Sequence, residues 1–487
     1  MSSGQTTESA KSYVFERFFI DGGWTSPSTG DAFDVRSPHD GKPVGSAPIA
    51  SASDVDHAVA AARRAFDEGP WPRMSVEDRM AALRPFVDAY GARTAELAAL
   101  VTSEMGSPAT FSLPAHGLGP FLLMQQTLQF ADAYAWTERW GTSMLVREPS
   151  GVVGIITPWN VPQVTMLAKL LPALIAGCTV VVKPAPETPL DAMLLAGLLA
   201  EADLPPGVVA IVSGATEAGR RLVEHAWVDR IAFTGSADVG RSIAATCGQR
   251  LARCSLELGG KSAAIVCEDA SLEKTVAGLR FSSFLNNGQA CVAQSRVLAP
   301  RSRYDEVAQA MADAADGFVV GDPSDAATDI GPLVSARQRD RVRSYIDVGV
   351  GEGATLAAGG SEAIDGLPGG QYVRPTVFRD VDNSMRIAQE EIFGPVIVVI
   401  PYDGVDDAVR IANDSPYGLG GSVWTKDRQA GLAIARRVRT GMFGINSFAP
   451  EFGVPFGGFK SSGIGREYGP EAFDEYVEMK SVYGVPT

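Results

Sequence analysis

Histidine and cysteine are scarce in this chain. Four histidines, His39, His57, His116 and His225, are scattered over 487 residues, which leaves no basis for a histidine-based metal site. The five cysteines, Cys178, Cys247, Cys254, Cys267 and Cys291, are odd in number and never spaced Cys-x-x-Cys. That excludes a disulfide framework and a zinc site, and it suits a reducing compartment such as the cytoplasm. No basic run exceeds Arg63-Arg64 or Arg436-Arg437, and the net charge is −15, so nucleic acid is not an expected partner. Long apolar runs are also missing. The most apolar region, Met166 to Val182, is broken by Lys169, Pro172 and Gly177, so no membrane span is expected. The first nine residues are polar and lack the apolar core of a signal peptide. Residues 1 to about 12 are expected to be mobile.

What remains is ordinary for a globular protein: 45% apolar and 20% charged residues, in a chain long enough for two or three domains. From Gly151 onwards short apolar runs alternate with helical spacing. Val152–Ile156, Thr179–Lys183, Val208–Val212 and Arg230–Thr234 read as buried strands separated by helices. This predicts an α/β fold with a parallel, doubly wound sheet, whose ligands bind at the carboxyl ends of strands. After Gly260 a second set begins with strand Ser262–Cys267 and helix Leu272–Phe284, and continues to strand Val396–Ile400. In the N-terminal region, Asp54–Phe66 reads as a helix capped by Ser53 or Asp54, and Val76–Met105 has helical spacing. Trp136–Arg147 reads as an extended protruding element and Tyr476–Val485 as an edge strand.

Two stretches carry chemistry. Leu256-Glu257-Leu258-Gly259-Gly260-Lys261 offers an acid, and Gly288-Gln289-Ala290-Cys291 offers a thiol 34 positions later. An ionised thiol is a strong nucleophile that forms acyl intermediates. A carboxylate in an apolar setting can act as general base. Together they suit aldehyde oxidation: the thiol adds, a hydride leaves, and the acid activates water. Gly235-Ser236-Ala237-Asp238-Val239-Gly240 follows a strand and opens a helix. It is not the G-x-G-x-x-G fingerprint, but a helix N-terminus suits a pyrophosphate.

The acid and thiol segments resemble the two signature motifs of the aldehyde dehydrogenase superfamily, and the resemblance runs from about Phe19 to Val482. It implies a Rossmann-like cofactor domain (1–128 and 150–258), a second α/β catalytic domain (259–460), and a small β oligomerisation element with the C-terminal tail (129–149 and 461–487). A homodimer or homotetramer follows from that element. The resemblance further implies Cys291 as nucleophile, Glu257 as base, and Asn160 in Thr157-Pro158-Trp159-Asn160 as oxyanion donor together with the Cys291 backbone N–H. Thr157, Trp159, Leu258, Gly235, Ser236 and Gly240 would lie near the cofactor, Lys183 would bond the adenosine ribose, and Glu391, Phe393 and Gln338 would hold the nicotinamide riboside. Val161, Thr165, Ala168 and Leu285, with Phe448, Phe452 and Phe456 opposite, would line the aldehyde entrance. Small residues there, and no arginine among them, point to a medium or large apolar or aromatic aldehyde. The segment Pro455–Glu467 resembles the family's C-terminal signature and is read as structural. NAD is the expected cofactor with NADP tolerated, because Pro186 stands where many NAD-preferring members carry a glutamate, and no arginine sits beside Lys183 to clamp a phosphate. The rival readings are a CoA-acylating relative, against which Glu257 argues, and a non-catalytic protein that keeps the fold.

Overall fold

The computed structural model describes residues 12–367 and 369–486, so nearly all of the segment expected to be mobile lies outside the described residues. Five parallel strands form the centre of an eight-stranded sheet: Arg253–Glu257, Arg230–Thr234, Val152–Ile156, Thr179–Lys183 and Val209–Ile211, in that spatial order. The four expected strands are present. Arg253–Glu257, which carries the acid, is an addition. Gly463–Ile464 pairs antiparallel on one side and Phe18–Ile20 on the other, where Gly23–Thr25 completes the edge. The chain starts at Val152–Ile156, builds outward to Val209–Ile211, then returns to Arg230–Thr234 on the opposite side. That reversal opens a crevice beyond Ile156 and Thr234, where doubly wound sheets hold ligands.

Two of the helices covering this sheet are apolar nearly all round, because they are buried on both sides. Pro162–Ala176 has Val164, Leu167, Leu170, Leu171 and Leu174 inside, and Pro189–Glu201 adds Leu190, Met193, Leu195 and Leu198. The N-terminal helix runs Ala52–Asp67. Its cap is Ser51, rather than Ser53 or Asp54, and Asp54 closes a capping box by accepting from the Ser51 N–H. The expected helical stretch Val76–Met105 is two helices, Val76–Ala92 and Thr94–Met105, broken at Arg93.

The second sheet has seven strands in the order Thr355–Ala358, Thr376–Arg379, Val396–Tyr402, Arg296–Pro300, Ala263–Val266, Gly421–Trp424 and Gly444–Ile445. All neighbours are parallel except the first pair. A separate three-stranded sheet joins Thr137–Trp140, Ser143–Pro149 and Val477–Tyr483 in antiparallel pairs. Trp140, Met479 and Tyr483 are exposed on it. Trp136 is not: its ring packs on Tyr134 and Phe473, and its indole N–H donates to Ala131 O at 2.9 Å. Of the two tryptophans on this protruding element, Trp140 alone is left exposed. Among the described residues no helix is long and apolar enough to cross a membrane.

Candidate active site

A cavity of about 1300 Å³ lies between the two large sheets, and Cys291, Glu257 and Asn160 all open onto it. The thiol loop is held in a conformation that few residues adopt. Asn286, Asn287 and Gly288 all have positive φ (52°, 61° and 71°). Asn287 is fully buried and fixes the loop from inside: its Nδ2 donates to Gly106 O and Pro332 O, both at 2.9 Å, and its Oδ1 accepts from Gly331 N. Asn286 Nδ2 donates to Asn160 O at 2.8 Å, and Asn160 Nδ2 donates to Gln289 O at 2.9 Å. These reciprocal bonds tie the asparagine loop to the thiol loop. One Asn160 N–H proton remains for a ligand.

Cys291 is half-buried. Burial pushes its thiol up, and the nearby carboxylates of Glu391, Glu257 and Glu467 push it further. The Glu257 carboxyl is also held well above its ordinary range, first by burial and then by the Glu467 charge, with Lys169 and Arg466 opposing. Its Oε2 is buried with no hydrogen-bond partner among the described residues. A buried carboxylate oxygen left unpaired, next to a reactive sulfur, suits a group that accepts a proton from water.

Glu257 stands at the end of its strand. The Gly235 N–H donates to Glu257 O at 3.0 Å, and the Leu258 N–H donates to Ser462 O at 2.9 Å. Ser462 Oγ in turn donates to Gly259 O at 2.7 Å. Residues 455–467, read from sequence as structural, thus carry a site residue as well. Glu467 lines the cavity and forms an ion pair with Lys169, whose side chain is 1% exposed. Lys169 also donates to Thr234 Oγ1 and Thr165 O. Sequence reasoning missed this pair. Its one signal was a lysine interrupting an otherwise apolar helix.

The dinucleotide side of the cavity is framed by Gly235, Ser236 and Leu258, with Trp159, Gln338, Glu391 and Phe393. Ser236 caps helix Ala237–Gln249, leaving the N-terminal N–H groups towards the cavity. Trp159 and Phe393 meet edge to face at 5.4 Å. Glu391 Oε1 accepts from Gly260 N at 2.9 Å, and burial raises its pKa to about 7. Any side chain at Gly259 would begin 2.2 Å from Glu391 Oε2, so only glycine lets this acid approach. Gln338 Nε2 donates to Phe393 O at 2.7 Å. These groups fit a nicotinamide riboside in the crevice.

Thr157, Lys183, Pro186 and Gly240 lie off the cavity surface. Thr157 Oγ1 is buried without a partner among the described residues, and Gly240 leaves room for the Leu258 side chain. Lys183 is buried and donates to Pro184 O and Gly214 O at 2.6 and 3.0 Å, and burial lowers it to about 8. It is not a solvated strand-end lysine. Pro186 is exposed. The neighbouring Glu187 is paired at 3.1 Å with Arg337, on helix Ala336–Gly351. An arginine does therefore reach the Lys183 loop, from a distant part of the chain.

On the entrance side Val161, Thr165, Leu285, Phe448, Phe452 and Phe456 line the cavity, joined by Phe111, Leu122, Phe281 and Tyr468. Ala168 sits behind this lining, in the same apolar cluster. Arg280 also reaches the wall, but it is paired with Asp329 at 3.0 Å and stacked on Phe318.

The chain matches the profile of the aldehyde dehydrogenase family over residues 24–482. It is 46% identical to geranial dehydrogenase of Castellaniella defragrans, over 96% of this chain and 98% of that one. It is 42% identical to 3-succinoylsemialdehyde-pyridine dehydrogenase of a Pseudomonas species, over 96% and 98% of the two chains. Among solved structures, a Mycobacterium tuberculosis aldehyde dehydrogenase complexed with NAD+ superposes with a TM-score of 0.95 at 48% identity, covering 98% of this chain and 99% of that one. Aldehyde dehydrogenase C of Pseudomonas syringae, complexed with NAD+ and octanal, gives 0.93 at 39% identity over 97% of each chain. With the thiol, the buried acid and the asparagine lining one cavity, and with these matches over nearly its whole length, the chain belongs to the aldehyde dehydrogenase family and is an oxidoreductase.

Proposed function

We propose that this enzyme oxidises a medium or large apolar aldehyde to its carboxylic acid through a thioester on Cys291. The observation that carries the reading is that Cys291, Asn160 and Glu257, with its unpaired Oε2, line one cavity. The Cys291 thiol releases its proton to solvent water, and the sulfur adds to the aldehyde carbon. The remaining Asn160 N–H and the Cys291 backbone N–H stabilise the oxyanion. When bound, NAD supplies the hydride acceptor, and Trp159, Gly235, Ser236, Leu258, Gln338, Glu391 and Phe393 would hold it. Glu257 takes a proton from water, which opens the thioester and frees Cys291. A buried base at this point supports hydrolysis over transfer to CoA.

The substrate class is supported by the apolar wall of Phe111, Leu122, Phe281, Phe448, Phe452 and Phe456, and by Arg280 being already neutralised by Asp329. The geranial of one relative and the octanal in the Pseudomonas syringae structure point the same way, while the other relative's named substrate carries a polar pyridine ring. Lys183 and Pro186 are assigned to the adenosine end, with NAD preferred and NADP tolerated. Residues 129–149 and the C-terminal strand Val477–Tyr483 are assigned to an oligomer interface, supported by exposed Trp140, Met479 and Tyr483 on one sheet, whereas residues 462–467, expected to belong to that element, pair with the strand of Glu257 and reach the cavity. Residues 12–128 with 150–258 are assigned to the cofactor domain and 259–460 to the catalytic domain. Free thiols at all five cysteines agree with a cytoplasmic setting.

The test is pre-steady-state kinetics. Glu257→Gln should give one rapid equivalent of NADH per active site and then slow turnover, while Cys291→Ala gives none but still binds NAD. Normal steady-state turnover in Glu257→Gln would assign the base elsewhere. A higher kcat/KM for acetaldehyde than for octanal or benzaldehyde would overturn the substrate class.

A further inference from the structure

One ion pair interrupts the apolar wall on the entrance side of the cavity. Arg280 is on helix Leu272–Phe284, whose residues Ala277, Arg280, Phe281 and Phe284 all line the cavity. Their i, i+3, i+4, i+7 spacing makes them one helix face. That face leads into Leu285 and the thiol loop. Arg280 stands four residues before the end of the helix, about 6 Å of rise away.

The pair is held rigidly by groups behind the wall. The Arg280 guanidinium stacks on the Phe318 ring at 4.0 Å, and its Nη2 donates to Gly317 O at 3.2 Å and to Asp329 Oδ2 at 3.0 Å. Asp329 is fixed by its own loop, which follows helix Tyr304–Asp316. Its Oδ2 also accepts from Val319 N at 3.0 Å, while Val319 O accepts from Asp329 N and Ile330 N at 2.9 and 3.1 Å. All of the side-chain bonds use Nη2 and Oδ2. Arg280 Nε and Nη1 and Asp329 Oδ1 have no hydrogen-bond partner among the described residues. The two side chains are 35% and 41% exposed, so a ligand in the cavity can reach them.

The wall thus offers free N–H donors on a group whose charge is already balanced. A carboxylate placed there would lose hydration, gain little from Arg280 and face Asp329. An ammonium would face Arg280. A neutral acceptor costs less to desolvate and receives a hydrogen bond from a charged donor, which is the stronger kind. Resting on the apolar-aldehyde reading above and refining it, we infer that Arg280 and Asp329 form a specificity-determining pair for aldehydes whose far end carries a neutral acceptor, such as a ketone carbonyl. The aldehyde group lies at Cys291, the chain runs along Phe281, and the far carbonyl accepts from Arg280 Nε or Nη1. A plain alkyl end displaces water from those donors and returns nothing to them.

The test measures kcat/KM by NADH formation with straight-chain aldehydes of six, eight and ten carbons. Each is used as the plain alkanal, as the methyl ketone with its carbonyl next to the far end, and as the ω-carboxylate. At the best-fitting length the keto aldehyde should exceed the alkanal about fivefold, with the ω-carboxylate below both. Arg280→Met keeps an apolar contact with Phe318 and removes the donors, so the keto:alkanal ratio should fall to about one. Asp329→Asn frees the Arg280 charge and should raise the carboxylate:alkanal ratio about tenfold. Melting curves show which variants are folded, and either one suffices if the other is not. A keto:alkanal ratio near one in the parent at every length would overturn the pair's role alone. So would unchanged ratios in a folded variant, including the case where all three aldehydes slow together, as a merely structural role requires. Failure of the parent to oxidise any of the alkanals or keto aldehydes would overturn the apolar-aldehyde reading and this inference with it.

Discussion

Replacing Lys169 with methionine tests how the general base is tuned. Lys169 is 1% exposed and pairs with Glu467, whose side chain is 10% exposed. Methionine keeps the apolar stem and removes only the charge. Breaking a buried ion pair from one side leaves an uncompensated carboxylate, which costs about 3–5 kcal/mol. The same change removes a cation that opposes the upward push on Glu257 from burial and from Glu467. The sign follows directly. Glu257 must be ionised to take a proton from water, so a further rise moves the hydrolytic limb of the pH–rate profile to higher pH. A shift of about one unit corresponds to about 1.4 kcal/mol, and at a pH below both limbs it slows turnover about tenfold. In the proposed mechanism acylation does not use Glu257, so the NADH burst should keep its amplitude. Glu467→Gln should move the limb the opposite way by removing the like charge. The double variant Lys169→Met with Glu467→Gln should recover most of the stability, since a neutral buried pair avoids the lone charge. Denaturant unfolding and steady-state pH profiles decide the matter. A Lys169→Met enzyme whose profile superimposes on that of the parent, with stability within about 1 kcal/mol, would refute the reasoning.

Gly288→Ala should cut activity by at least about 100-fold, because a Cβ there lies 2.2 Å from the Gly394 carbonyl carbon and φ is +71°. A variant with the parent's melting temperature and turnover would contradict that. His116 is fully buried and burial lowers it to about 3, so the folded state stays neutral while the unfolded chain takes up a proton below about pH 6.5. Stability should therefore fall as pH drops, by about 2 kcal/mol between pH 8 and pH 5 from this group alone. His116→Gln should flatten that part of the stability–pH curve, as measured by urea unfolding. At the adenosine end, Pro186→Glu should lower the NADP:NAD ratio of kcat/KM about fivefold by charge repulsion, and an unchanged ratio would remove Pro186 from the discrimination.

Continuous apolar strands were the most legible part of the fold. Val152–Ile156, Thr179–Lys183 and Arg230–Thr234 have the ends their composition predicts, because strands buried on both faces need no polar residue. Arg253–Glu257 escaped notice because it opens Arg-Cys-Ser, and its outer neighbour is only the two-residue strand Gly463–Ile464. Within the site, residues in short motifs were legible and pairs made over long chain distances were not. Lys169 and Glu467 meet from positions 298 apart, and Arg337 reaches Glu187 across 150. Neither partner has a local pattern that announces the other. No arginine neighbours Lys183 in sequence, and helix Ala336–Gly351 brings Arg337 to its loop in space. Asn287 resisted for a related reason. Its partners are the backbone groups of Gly106, Gly331 and Pro332, whose positions only the assembled fold determines.

The short strand Gly463–Ile464 has a consequence for synthesis. It closes the sheet beside Glu257, and Ser462 next to it holds the backbone on which the base stands. Ribosomes add about 5–20 residues per second, so the 207 residues from Glu257 to Ile464 take about 10–40 s to follow. Throughout that interval the nascent sheet has an open edge at its acid-bearing strand, and Lys169 lacks its carboxylate. The site is thus assembled only after Glu467 has been made, and a chain terminated before Gly463 would be left with an open edge at its acid-bearing strand, a substrate for chaperones rather than an enzyme.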